Sequence, residues 1–355
     1  MKQSGAVTAP NLDALARAVN ERIERLFAIE VPRWHDVDPD LVEPMKALRD
    51  LSLGDGKRLR PPFCHWSFVG AGGVPSDPLV TDAGAALELL HSFAVIHDDV
   101  MDASDQRRGR PSVHRAFADL HRESRWRGEG RRFGEGAAIL IGDLAFVYAD
   151  MLLSEAPRQA IDVFAELRLE VSLGQYLDLL GTARGDTSAE QSRRICLYKS
   201  GKYTVERPLH LGAALAGQLD HLGSYLSAFG LPLGEAFQLR DDLLGAFGNP
   251  KITGKPVGED LREGKPTPLF VLATAMADGA AAKLLGERFG SASLTAEEVN
   301  ELQSILVETG ARERVEAQIG ALLEQALVAL DAVPITDEAR VRLRELAHFV
   351  ARRDH

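Results

Sequence analysis

Three aspartates close the most apolar stretch of this sequence, in the run His97-Asp98-Asp99-Val100-Met101-Asp102. Asp98 and Asp102 stand four residues apart, so on a helix their carboxylates share one face. Like charges at that spacing cost roughly 0.2–0.5 kcal/mol, and the negative end of a helix adds to the cost. Packing gives no reason for such a cluster, but a divalent cation does. Mg²⁺ fits, because it takes one or two carboxylates and completes its shell with water and phosphate oxygens. Taken alone, the motif also reads as a solvated helix end. The run Ser104-Asp105-Gln106-Arg107-Arg108-Gly109-Arg110-Pro111 follows at once, and arginine forks bind phosphate through paired hydrogen bonds. Acid for a metal beside base for phosphate describes a diphosphate site. Salt bridges from Arg107 and Arg108 to the aspartates are the competing reading.

A second acidic pair lies in Gln238-Leu239-Arg240-Asp241-Asp242-Leu243-Leu244-Gly245, where Gln238 and Asp241 share a helix face. Thr253-Gly254-Lys255 and Gly264-Lys265 follow in a Gly- and Pro-rich stretch. It reads either as a lysine-bearing lid over an anion or as a plain surface loop. Gly56-Lys57-Arg58-Leu59-Arg60-Pro61 packs three cations into the start of an apolar helical run, where backbone N–H groups favour a phosphate.

The elements that must position these residues are helices. Apolar spacing predicts helices over 11–29, 82–96, 136–153, 158–180, 193–217 and 219–247, and then over 267–276, 295–309, 311–332 and 337–353. Thr295 with Glu298 is a capping box. Period-2 runs of useful length are missing, His121 to Arg132 reads as an exposed charged loop, and Arg352-Arg353 reads as a solvated tail. The expectation is one all-α domain over residues 1–355, a bundle of roughly ten or more helices.

Composition agrees with this: of 355 residues, 45% are hydrophobic and 26% charged, enough for a sizeable core. A net charge of −11 argues against non-specific nucleic-acid binding. Cys64 and Cys196 belong to no ligand pattern and read as buried free thiols in a reducing cytosol. The first residues lack the pattern of a signal peptide. The apolar run Ala137 to Leu153 is broken by Asp143 and Asp150 and is too short and polar to span a bilayer. The expected location is cytoplasmic, with no transmembrane segment.

Taken in order, GKRLRP, HDDVMDASDQRRGRP, Gly142-Asp143, GQYLD, YKSGKYT, QLRDDLLGAFG and TGK resemble the polyprenyl synthetases, the trans-isoprenyl diphosphate synthases. The resemblance implies an isoprenoid synthase fold around a central active-site cavity, a homodimer, and three Mg²⁺ ions. It implies isopentenyl diphosphate and an allylic diphosphate as substrates. By that resemblance Asp98 and Asp102 bind two ions, supported by Asp99, and Asp241 binds the third, with Asp242 and Gln238 nearby. Arg107, Lys199 and Lys255 contact the allylic diphosphate. Gly56, Lys57, Arg60, His91 and Arg108 hold isopentenyl diphosphate, and Lys265 belongs to the same basic set. Gln175 and Asp178 line the allylic site, and the backbone at Lys199 and Ser200 faces the developing carbocation. Two positions depart from the pattern: Gly245 replaces a final aspartate, and Ser200 stands where threonine is commoner.

Product length follows from depth. One helical turn rises about 5.4 Å, near one isoprene unit, so a bulky residue upstream of Asp98 acts as a floor. Phe93 lies five residues before Asp98, Ala94 is small, and the first motif has no insertion. In this family that pattern resembles a C20, geranylgeranyl product. Packing of Phe93 in the core, with the floor at Leu89, Leu90 or a partner helix, competes with it. Farnesyl or longer products, a non-catalytic regulatory subunit, a class I terpene cyclase and a helical scaffold are the other readings. The acidic motifs are nearly whole, which counts against the subunit, and the cyclase's second metal triad is missing.

Overall fold

The computed structural model describes residues 12–54, 56–107, 109–185, 188–248, 258–291 and 293–353. These are almost entirely helical, and they fall into two compact units.

The first unit holds residues up to Ala165 and the segment Pro208–Asp220. Its helices are α1 (Asp13–His35), α2 (Val42–Leu53), α3 (Arg60–Gly70), α4 (Pro78–Met101), α5 (Val113–Glu123) and α6 (Gly130–Leu152), with the start of α7 (Arg158–Arg184). Pro78 opens α4, where a missing N–H costs nothing, and Asp77 caps it by accepting from the Leu79 N–H at 2.9 Å. From Ala83 to Leu90 every residue of α4 is buried. Such an all-round apolar helix is a core helix, and α1, α3 and α6 pack on it. By length and composition α4 would also suffice to cross a membrane, which Ala137–Leu153 would not, but most of its side chains are buried in protein. A buried charge inside this core is compensated: Arg58 donates to Glu88 at 2.7 Å, to the Ser52 carbonyl at 2.6 Å and to Asn20 at 3.1 Å.

The second unit holds the rest of α7, α8 (Ala189–Ile195), a π-helix π1 (Cys196–Glu206), most of α10 (Leu219–Phe247), α11 (Glu259–Glu263) and α12 (Pro268–Met276), while α9 (Arg207–Leu215) falls almost wholly in the first. It ends with α13 (Gly279–Arg288), α14 (Ala296–Glu308), α15 (Ala311–Asp331) and α16 (Asp337–Arg352). Its core is built from Leu233, Ala236 and Leu239 of α10 with Leu302, Val315, Ile319 and Leu343. The Thr295–Glu298 capping box is formed in both directions.

Three expectations change. The helix expected over 193–217 is split, because 196–206 is wound as a π-helix. His121 to Arg132 is an exposed loop only at its centre, where residues 124–129 are exposed and lie between helices. His121 is buried in the last turn of α5, α6 begins at Gly130, and His121, Trp126 and Phe133 form an aromatic cluster over the short link. The tail residue Arg353 is buried, 6% exposed. The only strands among the described residues are two-residue pieces, β1 (Gln106–Arg107) and β2 (Arg110–Pro111), paired antiparallel.

Candidate active site

In the first unit the acidic motif closes α4. Asp98 and Asp99 belong to its last turns, and Asp102 is the residue just past it, donating its N–H to the Asp98 carbonyl at 2.8 Å. Asp99 is buried, 2% exposed. Arg107, on β1, satisfies it: its Nε donates to Asp99 Oδ1 at 3.0 Å, its Nη2 reaches the same oxygen, and Nη2 lies 3.8 Å from Asp98 Oδ2. The salt-bridge reading of Arg107 is the one the structure shows. Arg108 lies outside the described residues.

Upstream, Phe93 packs edge-on against Phe146 of α6 with centroids 4.8 Å apart, and against His97 at 4.7 Å. Leu89 and Leu90 are fully buried, whereas Phe93 and Ala94 keep part of their surface. Phe146 was not legible as a partner, because its helix carries no mark of which face meets α4. His97 sits where Gly142 has no side chain: a Cβ there would lie 2.3 Å from Nε2. That contact accounts for the glycine of the Gly142-Asp143 motif. Of the N-terminal basic run, Arg58 is structural, Gly56 and Lys57 are exposed, and Arg60 is buried at the start of α3. His91 is half-buried on α4.

In the second unit the GQYLD helix and the π-helix meet closely. A Cβ on Gly174 would lie 2.4 Å from the Lys199 nitrogen. This approach lets Lys199 Nζ donate to Asp178 Oδ2 at 2.6 Å. Asp178 is buried, and Gln175 and Ser200 are half-buried. π-Helical turns recur at functional sites, and this one holds all of Lys199, Ser200 and Gly201.

The second acidic motif lies on α10. Asp242 is 5% exposed; Gln238 Nε2 donates to its Oδ1 at 2.7 Å, and its Oδ2 is buried without a hydrogen-bond partner. Its pKa is pushed well above the carboxylate range, first by burial, then by the charge of Asp260, with Asp241 and Asp178 adding to it and Gln238 opposing. One carboxylate oxygen here is thus buried without a hydrogen-bond partner, beside further acidic groups. Among the described residues, no three His, Cys, Asp or Glu side chains are gathered to hold a metal alone.

Asp241 is paired with Arg353, whose guanidinium also lies 4.2 Å over the Phe237 ring. Arg240 explains how the C-terminal helix comes there: it binds Glu316 through two nitrogens at 2.9 and 2.6 Å and donates to the Ala351 carbonyl at 3.0 Å. Lys265 Nζ lies 2.8 Å from Glu263 Oε2. Lys255 and residues 249–257 of the proposed lid lie outside the described residues, and its remainder carries α11. Cys64 and Cys196 are buried free thiols. Burial foremost, then Asp242, pushes Cys196 well above the usual thiol range, which makes it unreactive.

The family model for Polyprenyl synthetase matches residues 43–306. A geranylfarnesyl diphosphate synthase of Aeropyrum pernix is 30% identical over 309 residues, 84% of this chain and 90% of that protein. A geranylgeranyl diphosphate synthase of Mycobacterium tuberculosis is 32% identical over 325 residues, 84% of this chain and 87% of that protein. Among solved structures, geranylgeranyl pyrophosphate synthase from Corynebacterium glutamicum, complexed with isoprenyl diphosphate and magnesium, has a TM-score of 0.92 at 37% identity, covering 97% of this chain and 99% of that one. Fold and sequence together make this a prenyl-transferring enzyme. The chain belongs to the polyprenyl synthetase family.

Proposed function

We propose that this chain is a Mg²⁺-dependent, chain-elongating prenyltransferase that condenses isopentenyl diphosphate with allylic diphosphates, with geranylgeranyl diphosphate as its main product. The observation that carries the reading is the pairing of acid with base in both acidic motifs, Arg107 on Asp99 and Arg353 on Asp241, and on the GQYLD helix, Lys199 on Asp178. Residues 1–355 act in this reading as one catalytic domain.

Asp98 and Asp102 would hold two Mg²⁺ ions and Asp241 a third. Bound there, the ions supply electrostatic stabilisation of the departing diphosphate. Arg107 and Lys199 exchange their aspartates for diphosphate oxygens, joined by Lys255. Gly56, Lys57, Arg60, His91 and Arg108 bind isopentenyl diphosphate, and Lys265 adds positive charge. The allylic C–O bond breaks, and its electron pair leaves with the diphosphate. The double bond of isopentenyl diphosphate attacks the allylic cation, and a proton passes to the released diphosphate. Gln175, Asp178 and the backbone at Lys199 and Ser200 border the cation, and apolar α4 and α6 keep water from it.

Phe93, backed by Phe146, is the floor in this reading. A farnesyl product is the second reading, since Phe146 packs on Phe93 and narrows the same space. On α6, Leu140, Val147 and Met151 are 65%, 53% and 47% exposed, at the heptad-like spacing of one helix stripe. They are the proposed homodimer face, to be tested by light scattering of a Leu140→Glu, Val147→Glu double variant. Two buried free thiols fit a reducing cytosol.

The test is incubation with Mg²⁺, isopentenyl diphosphate and, separately, C5, C10 and C15 allylic diphosphates, followed by chromatography of the dephosphorylated products. A C20 product lost on chelation is expected. A C15 or longer end point overturns the product assignment alone. No consumption of isopentenyl diphosphate overturns the synthase and moves the assignment to a regulatory subunit or cyclase.

A further inference from the structure

Helix α7 and the π-helix meet at three levels. Glu170, Gly174 and Asp178 follow one another at intervals of four residues along α7, so they lie on one face, one above the other. Each takes a different part of the chain opposite. Asp178 accepts from Lys199 Nζ at 2.6 Å. At Gly174 the Lys199 nitrogen and the Tyr198 carbonyl carbon come within 2.4 and 2.6 Å of where a Cβ would stand. Glu170 accepts from Lys202 and, at 2.6 and 2.7 Å, from Arg207 Nε and Nη2.

The Glu170 level is an anchor. Glu170 is 6% exposed, and both of its carboxylate oxygens are occupied by donors. Lys202 lies inside π1 and Arg207 directly follows it. Lys202 Nζ is also 3.8 Å from Glu206 Oε2 and 5.1 Å over the ring of Tyr198, the residue before Lys199. Ser227 of α10 in turn donates to Glu206 Oε1 at 2.6 Å. π-Helices are rare beyond a single turn, and this one runs for 11 residues, so its winding is held by contacts from outside. Eight residues of α-helix separate Glu170 from Asp178 by about 12 Å. A group bound beside Asp178 is therefore beyond the reach of Glu170.

We infer that Glu170 is a positioning residue for Lys199, keeping the π-helix wound through Lys202 and Arg207 while Lys199 holds the allylic diphosphate. This rests on the proposed synthase reading. In that reading Lys199 leaves Asp178 for a diphosphate oxygen, so the attachment at Asp178 is given up on binding. The contact at Gly174 limits how closely the two helices approach but carries no charge. The pairs at Glu170 persist in both states, and they fix where the Lys199 ammonium is presented.

The experiment is calorimetric titration of the C10 allylic diphosphate, with Mg²⁺, into the full chain at a temperature where melts show each variant folded. Glu170→Gln keeps the shape and removes the charge. It is expected to weaken binding roughly ten-fold, within the range found for residues of one network. Lys202→Met opens the same attachment from the other side, is expected to act likewise, and carries the test if Glu170→Gln does not fold. A residue that acts through Lys199 loses its effect once that ammonium is gone. In a Lys199→Met background, Glu170→Gln is therefore expected to change the affinity by less than about two-fold. Unchanged affinity in the folded Glu170→Gln and Lys202→Met variants, or the same ten-fold loss in the Lys199→Met background, overturns the inference and leaves the synthase reading standing. Failure of the unaltered chain to bind the allylic diphosphate removes both.

Discussion

The guanidinium of Arg353 lies against the carboxylate of Asp241 while its plane covers Phe237. Asp241 is the proposed ligand of the third ion, so Arg353 and the metal compete for one carboxylate. Its removal is expected to favour the metal. A charge-assisted hydrogen bond is worth roughly 1.5–3 kcal/mol, and Arg353→Ala is expected to lower the Mg²⁺ concentration for half-maximal activity by about ten-fold. An Mg²⁺ dependence that is unchanged or shifted upward would show that Arg353 does not compete at Asp241.

Gly174 gives a sharper structural test. Gly174→Ala places a methyl 2.4 Å from the Lys199 nitrogen. Overpacking of this kind costs about 1–3 kcal/mol. The melting temperature is expected to fall, and KM for the allylic diphosphate to rise with it, because the π-helix must shift and carry Lys199 away from Asp178. A lower melting temperature with KM unchanged would separate packing from substrate binding.

Phe93→Ala removes the ring that Phe146 and His97 hold. The expected products extend by at least one isoprene unit, since one helical turn adds about 5.4 Å. An unchanged product distribution would make Phe93 a packing residue and move the floor elsewhere.

Glu170 sets an acid limit on stability. It is buried and accepts from Arg207 Nε at 2.6 Å and Nη2 at 2.7 Å, and from Lys202. Burial alone would raise its pKa, but the hydrogen bonds from Arg207 and Lys202 bring it below the usual value. A carboxyl group whose pKa is lowered by folding contributes stability above its unfolded pKa and loses it as pH falls through the folded one. Glu170→Gln is expected to flatten the acid side of the melting-temperature profile. Glu170→Ala removes the buried carboxylate that the half-buried Lys202 and Arg207 share, and is expected to lower the melting temperature more than Glu170→Gln does. An acid limb as steep in Glu170→Gln as in the parent would assign the acid sensitivity to other groups.

Periodicity located the helices best where one face is buried along their whole length. The helix over 219–247 was read with both its ends, and Thr295–Glu298 was read as a cap from residue type alone. It failed at 196–206, since a π-helix uses the same residues as an α-helix and differs only in hydrogen-bond register. It also failed at α5, where charge on the exposed side masked His114, Phe117 and His121 on the buried one. The chemical motifs were legible because their members are neighbours on one helix. Arg353 and Asp260 were not, because each reaches its acidic motif from a separate helix and no local spacing records that. Arg240 carried the missing information: its bonds to Glu316 and the Ala351 carbonyl dock the last helix onto α10.

The π-helix bears on how this stretch of chain can vary. Lys199 and Ser200 sit inside a wound segment whose length, more than its composition, sets their direction. Loss of one residue between 196 and 206 would let the segment relax into an α-helix and turn everything beyond the deletion by about 100°. Substitutions there alter single contacts, whereas a one-codon deletion would re-phase Lys202 and Arg207 away from Glu170 together. The segment is thus a spacer of fixed count, and related chains that keep the same chemistry are expected to differ here in letters and not in length.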